Sequence, residues 1–190
     1  QREAVLEAVR EANARPDVHV VALSYHGGYE YFDTPHEGTR ELLRAAVKAG
    51  ADAVLGHHPH VLQRVEILDG RPIFYSLGNF IFDQFHYATQ YSYLVWVWLD
   101  DGRLHRAEVV PIHIQGYTPM PATDTVRQKV LRRTYALSAR RGVTLGASGG
   151  HGVIRNAPAD DAGTPPAPDA AWGAPPAAAW PASCASSRGP

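Results

Sequence analysis

Gly56-His57-His58-Pro59-His60 sets three histidines within four residues. Imidazole is a common ligand for transition metals and titrates near neutral pH. His58 and His60 stand at i and i+2, so an extended backbone would point both rings to one side. Pro59 between them stiffens the segment. His57 then points the other way, where it supports a site or packs against neighbouring structure. Taken alone, the pair describes a polar loop of solvated histidines as readily as a metal site. His26 adds a third imidazole, because it follows an apolar run of its own, Val18-His19-Val20-Val21-Ala22-Leu23-Ser24. Three such nitrogens suit zinc or another first-row transition ion better than magnesium or calcium.

Two further segments carry polar groups that chemistry could use. In His26-Gly27-Gly28-Tyr29-Glu30, the glycines let backbone approach a ligand closely. Glu30 reads as a ligand, as a partner behind a histidine, as a general base or as a solvated loop carboxylate. Asp33 reads as an ordinary loop acid. Tyr75-Ser76-Leu77-Gly78-Asn79-Phe80-Ile81-Phe82-Asp83 turns sharply at Gly78-Asn79. Asn79 offers an amide to substrate or metal, and Phe80 and Phe82 are expected to anchor the turn. His86 and His113 belong to no cluster and read as structural or solvated.

The elements around these residues bring them together. Residues 1–14 carry apolar side chains at helical spacing up to Pro16. Residues 18–24 read as a buried strand. Thr34-Pro35-His36-Glu37 has the form of a capping box with proline at the first helical position. The helix that follows buries Leu42, Leu43, Ala46 and Val47 and ends at Gly50. Residues 52–55 read as a second buried strand. A strand–helix–strand unit of this length pairs its strands in parallel. Their carboxyl ends then share one edge of the sheet, where open α/β sheets bind ligands. His26 leaves the first strand there, and His57, His58 and His60 leave the second.

Two hairpins follow, one turning at Asp69-Gly70 and one at Asp100-Asp101-Gly102. Val95-Trp96-Val97-Trp98-Leu99 is apolar on both faces, which predicts a strand covered on both sides. A last helix is expected from Asp124 to about Ser138. Beyond that a Gly-rich stretch leads into a segment in which twenty of the last 35 residues are alanine or proline. Such a composition buries too little apolar surface to offset its chain entropy. The expected division is therefore residues 1–145 folded and residues 146–190 a disordered tail, with the change in composition sharpest from Asn156 onward.

The chain has 190 residues and a formal net charge of −1. That suffices for one domain with a real core, and it shows no electrostatic footprint for nucleic acid. The single cysteine, Cys184, excludes a disulfide framework and a thiolate metal site. No apolar run reaches the length of a membrane span. No signal or anchor pattern is visible, and a helical pattern opens at Gln1, as expected for a piece of a longer protein.

Three stretches taken together resemble the CapA family, bacterial capsule and poly-γ-glutamate synthesis proteins with a metallophosphoesterase-like fold. They are His26-Gly27-Gly28-Tyr29-Glu30-Tyr31, then Gly50 through the GHHPH segment to Val61-Leu62-Gln63, then Pro72-Ile73-Phe74-Tyr75-Ser76-Leu77-Gly78-Asn79-Phe80. The resemblance implies a layered α/β sandwich, here incomplete at its N-terminus, with this chain as the C-terminal portion. It implies that His26 matches the isolated metal-site histidine of metallophosphoesterases and that His58 and His60 match their final histidine pair. Zinc or manganese would be the metal, with two ions in a complete domain. Catalytic roles would fall to His26, Glu30 and Asn79.

The family pattern begins upstream with an aspartate-containing segment and an Asn-His segment, neither of which lies in this chain. The chain alone is accordingly expected to be weak or inactive as a hydrolase. The implied setting is the extracytoplasmic cell envelope, with capsule or poly-γ-glutamate machinery as partner. Two rival readings are a phosphoesterase acting on a small phosphate ester and a non-enzymatic envelope assembly protein.

Overall fold

A computed structural model describes residues 2–139 and 143–156 of the chain. The fold is mixed α/β, with two sheets and three α-helices among the described residues. The first sheet has the order β1-β2-β4-β3, from β1 (Ala22–His26), β2 (Ala53–His57), β3 (Val65–Leu68) and β4 (Arg71–Phe74). β1 and β2 pair in parallel from Ala22↔Ala53 to His26↔His57. This is the expected strand–helix–strand unit, and it sets the two histidine-bearing strand ends side by side.

β1 starts later than residue 18 and is not buried: at the edge of its sheet, its residues alternate between exposed and half-buried. The Asp52 carboxylate holds its entry by accepting from Val21 N at 2.9 Å and from Arg71 Nε at 3.3 Å.

Helices α1 (Arg2–Asn13) and α2 (Glu37–Lys48) cover one face of this sheet. Leu6, Val9, Leu43, Ala46 and Val47 pack there on Val54, Ile73 and Tyr75. The expected capping box at Thr34 does not form. The chain is still extended at His36, with ψ at 146°, and the His36 ring instead accepts from Gly38 N at 3.3 Å.

The C-terminal end of α2 behaves as expected. Gly50 N donates to Val47 O at 3.1 Å and Ala51 N to Ala46 O at 3.0 Å, the paired bonds of a Schellman motif. Gly50 sits at φ +118°, and a Cβ there would meet the Asn13 side chain at 2.6 Å. Gly50→Ala is therefore expected to cost about 1–3 kcal/mol, measured by urea unfolding.

The second sheet runs β5-β6-β9-β8, with β7 also paired to β6. Its strands are β5 (Tyr91–Asp100), β6 (Arg103–Gln115), β7 (Thr118–Pro121), β8 (Val143–Ser148) and β9 (His151–Asn156). Both expected hairpins form, with positive φ at Asp69-Gly70 and at Asp101-Gly102. The expectation that the β5 strand is covered on both sides fails. β5 is an edge strand whose Val95 and Val97 face the core, while Leu94, Trp96 and Trp98 remain exposed. The Arg106 guanidinium lies 4.2 Å from the Trp98 ring centre.

The expected boundary at residue 145 falls inside a hairpin. β8 and β9 pair across Gly149-Gly150, both at positive φ, and Val153 and Ile154 are buried. The two glycines form a turn within the fold, where composition alone suggested the start of a tail. The rest of that expected tail, residues 157–190, lies outside the described residues.

Helix α3 (Asp124–Ser138) spans the expected range. Its Val130 and Leu131 join Val65, Ile67 and Phe74 of the first sheet and Tyr93, Ala107, Val109 and Ile154 of the second in one core. The layers are thus α1 and α2, then the first sheet, then a core shared with the second sheet and α3. Among the described residues no helix is long and apolar enough to cross a membrane.

Candidate metal centre

The histidines gather where β1 and β2 end. Just beyond β2 the backbone turns left-handed twice, with φ of 99° at His58 and 61° at His60. The expected extended i, i+2 geometry is therefore not what aligns them. Two left-handed residues around Pro59 do so, and the two ring centres lie 5.8 Å apart. Such conformations are costly for non-glycine residues and cluster at functional sites. Backbone bonds stitch this loop to the one following β1: Gly27 N donates to His57 O at 3.1 Å and Tyr31 N to Pro59 O at 2.8 Å. The second bond brings Glu30 over the histidines.

Two pairs of ligand atoms result. His58 Nδ1 lies 3.2 Å from His26 Nε2, and Glu30 Oε1 lies 3.7 Å from His60 Nε2. Glu30, His58 and His60 each offer a ligand atom within 4.8 Å of the others. Zinc–nitrogen bonds of about 2.0–2.1 Å place two tetrahedral ligands about 3.3 Å apart, so the His26–His58 spacing fits a shared ion. The group within mutual reach is Glu30, His58 and His60, and His26 adjoins it through His58. Imidazole and carboxylate donors of this kind suit a first-row transition ion.

Asn79 is the third segment's contribution. It lies just past Gly78, at φ +78°, where a Cβ would meet the Tyr91 carbonyl oxygen at 2.9 Å. Its Oδ1 faces His60 Nδ1 at 2.8 Å. Phe80 does not anchor this turn and is exposed, as is Phe82, whose ring stands 4.9 Å from that of His60.

Residues 1–84, which hold all five of these side chains, match the family described as bacterial capsule synthesis protein PGA_cap. The chain is 43% identical over 132 residues to the PGA biosynthesis protein CapA of Bacillus subtilis, covering 69% of this chain and 34% of that protein. It is 39% identical over 123 residues to the capsule biosynthesis protein CapA of Bacillus anthracis, covering 65% of this chain and 30% of that one. The chain belongs to the CapA family.

More remote is a probable polyglutamine synthesis accessory protein of Mycobacterium tuberculosis, 24% identical over 143 residues, covering 70% of this chain and 37% of that protein. The CapA-family chain spans about a third of the length of the curated relatives it matches, by the 34% and 30% shares of the two Bacillus proteins.

Other residues of this CapA-family chain take their places around the cluster. Burial, and then the neighbouring His26, hold the His57 imidazole below its ordinary value. Asp33 pairs with Arg133 of α3, which ties the Glu30 loop to the second layer. His86 lies against Tyr31, with ring centres 5.7 Å apart. His113 stacks on Tyr91 at 5.4 Å.

The sequence assigns no role to Tyr31, Gln84 or Thr89. Gln84 joins Asn79 to Tyr31 by hydrogen bonds of 3.0 and 2.8 Å, and no periodicity or motif marks it. Burial first, and then the adjacent Glu30 carboxylate, push the Tyr31 phenol above its ordinary value.

Proposed function

We propose that this chain is part of a CapA-type protein that acts in capsule or poly-γ-glutamate production at the cell envelope. Its scaffold is metallophosphoesterase-like, and its site holds a divalent transition metal, zinc or manganese, for metal-assisted hydrolysis. The observation that carries this reading is the convergence of His26, Glu30, His58 and His60 from two loops on one sheet edge. The capsule and PGA biosynthesis roles named for the Bacillus relatives support the biological setting.

His26, His58 and His60 would hold the metal, with Glu30 beside them as a further ligand or as the base that receives a proton. When bound, the metal would lower the pKa of a coordinated water and polarise the centre under attack. Asp33 and Arg133 hold the Glu30 loop against α3, and the Tyr31–Pro59 backbone bond fixes that loop over the histidines.

The test uses the whole gene product that carries this chain, expressed in its capsule-forming host. His60→Ala is expected to reduce surface polymer to the level of a gene deletion at unchanged protein abundance. His105→Ala, at an exposed position on β6, is expected to leave polymer at the wild-type level. Wild-type polymer from the His60→Ala strain would overturn the proposal.

A further inference from the structure

The amide of Asn79 is oriented by a group that cannot change its own polarity. Asn79 is 7% exposed, and its Nδ2 lies 3.3 Å from the backbone carbonyl of Thr89. A carbonyl oxygen only accepts, so the NH2 end of the amide must face Thr89 and the oxygen end must face His60. The same Nδ2 donates to Gln84 Oε1 at 3.0 Å, and Gln84 Nε2 donates to the Tyr31 hydroxyl at 2.8 Å. Every partner in this chain of bonds agrees with one orientation of the Asn79 amide. His60 Nδ1, 2.8 Å from Asn79 Oδ1, must then carry a proton.

We infer that Asn79 is a positioning residue that fixes His60 as its Nδ1–H tautomer and so aims the Nε2 lone pair at Glu30. The consequence for the metal rests on the metal-centre reading above; the tautomer itself does not. His60 Nε2 and Glu30 Oε1 face each other at 3.7 Å. In this tautomer both are lone-pair donors, which is the arrangement a cation stabilises. Partners that fix a ligand histidine's tautomer through its other nitrogen raise metal affinity. Asn79 therefore needs no contact with metal or substrate to matter. Its oxygen is committed to His60 and its nitrogen to Thr89 and Gln84.

The test begins on the metal-free wild-type chain. A two-dimensional 15N–1H spectrum of the imidazoles is recorded, with His60 assigned by comparison with His60→Ala. The neutral His60 ring is expected as the Nδ1–H tautomer, the opposite of the Nε2–H form that free histidine side chains favour. A predominantly Nε2–H ring would overturn the proposal without any Asn79 variant.

Asn79→Leu removes the acceptor and is expected to release the ring to the Nε2–H form. It should also weaken zinc binding about ten- to a hundredfold in competition titrations. Asn79→Asp keeps the acceptor, and is expected to retain the Nδ1–H tautomer and bind zinc within a few-fold of wild type, even where Thr89 O lowers its stability. A folded Asn79→Leu protein that keeps the Nδ1–H tautomer would overturn the inference. If wild type binds no zinc while the tautomers behave as stated, the metal reading fails and the role of Asn79 stands.

Discussion

Replacing His58 or His60 by alanine is expected to strip tightly bound divalent metal from the protein. Each ring contributes a donor to the group in which the Glu30, His58 and His60 ligand atoms lie within 4.8 Å of one another. His58 also shares the 3.2 Å contact with His26, so its removal breaks that pair as well as the three-residue group. Loss of a residue merely behind a ligand costs about ten- to a hundredfold in affinity. Loss of a ligand itself is expected to exceed that, with affinity falling by more than about a hundredfold.

Elemental analysis after dialysis, followed by competition titration with zinc and manganese, reads the effect. His105→Ala should retain wild-type stoichiometry. Its folded state provides the comparison for the two site variants, checked by the dispersion of their amide spectra. Wild-type stoichiometry in both His58→Ala and His60→Ala would remove the metal assignment.

The convergence of His26 and His58 was legible in the sequence because it depends on topology. Two apolar runs joined by an amphipathic helix make a parallel pair, and parallel strands end on the same edge. The hairpins at Asp69-Gly70 and Asp101-Gly102 were legible because those dipeptides accept positive φ at both positions. Features that depend on tertiary packing were not. The left-handed backbone at His58 and His60 has no signature in side chains that disfavour it. Trp96 and Trp98 lie in a run that is apolar on both faces, which predicts burial, yet position at the sheet edge leaves them exposed. The Asn79–Gln84–Tyr31 chain joins residues as far apart as 53 positions through loops without periodicity. Gly149-Gly150 carried a usable hairpin signal, but the alanine- and proline-rich composition that follows drew it into the expected tail.

Gly56→Ala is expected to be among the most destabilising single-methyl changes in the protein. Gly56 lies in β2, one residue past the Leu55↔Phe74 pair. There β4's continuation crosses so closely that a Cβ on Gly56 would stand 2.2 Å from the Tyr75 carbonyl oxygen and 2.9 Å from that of Phe74. Both obstacles are backbone, so no side-chain rotation relieves them. Tyr75 is also held in place. Its ring is buried at 1% exposure, its hydroxyl donates to Glu66 at 2.8 Å, and the Arg64 guanidinium lies 5.0 Å from its ring centre. Glu66 in turn pairs with Arg44 of α2.

Making room for the methyl means separating β2 from the segment that follows β4, against the Leu77 N to Gly56 O bond of 3.3 Å. Overpacking that forces backbone shifts costs about 1–3 kcal/mol, and the rigid surroundings place this site at about 3 kcal/mol or beyond. The strain falls directly before His57, so metal affinity should drop together with stability. Gly146→Ala is the matched control: no atom lies within 4 Å of its added Cβ, and it should remain within about 0.5 kcal/mol of wild type. Urea unfolding of both variants decides the point. If Gly56→Ala unfolds at the same midpoint as Gly146→Ala, the close approach of the two backbones is not what requires glycine at the head of the histidine segment.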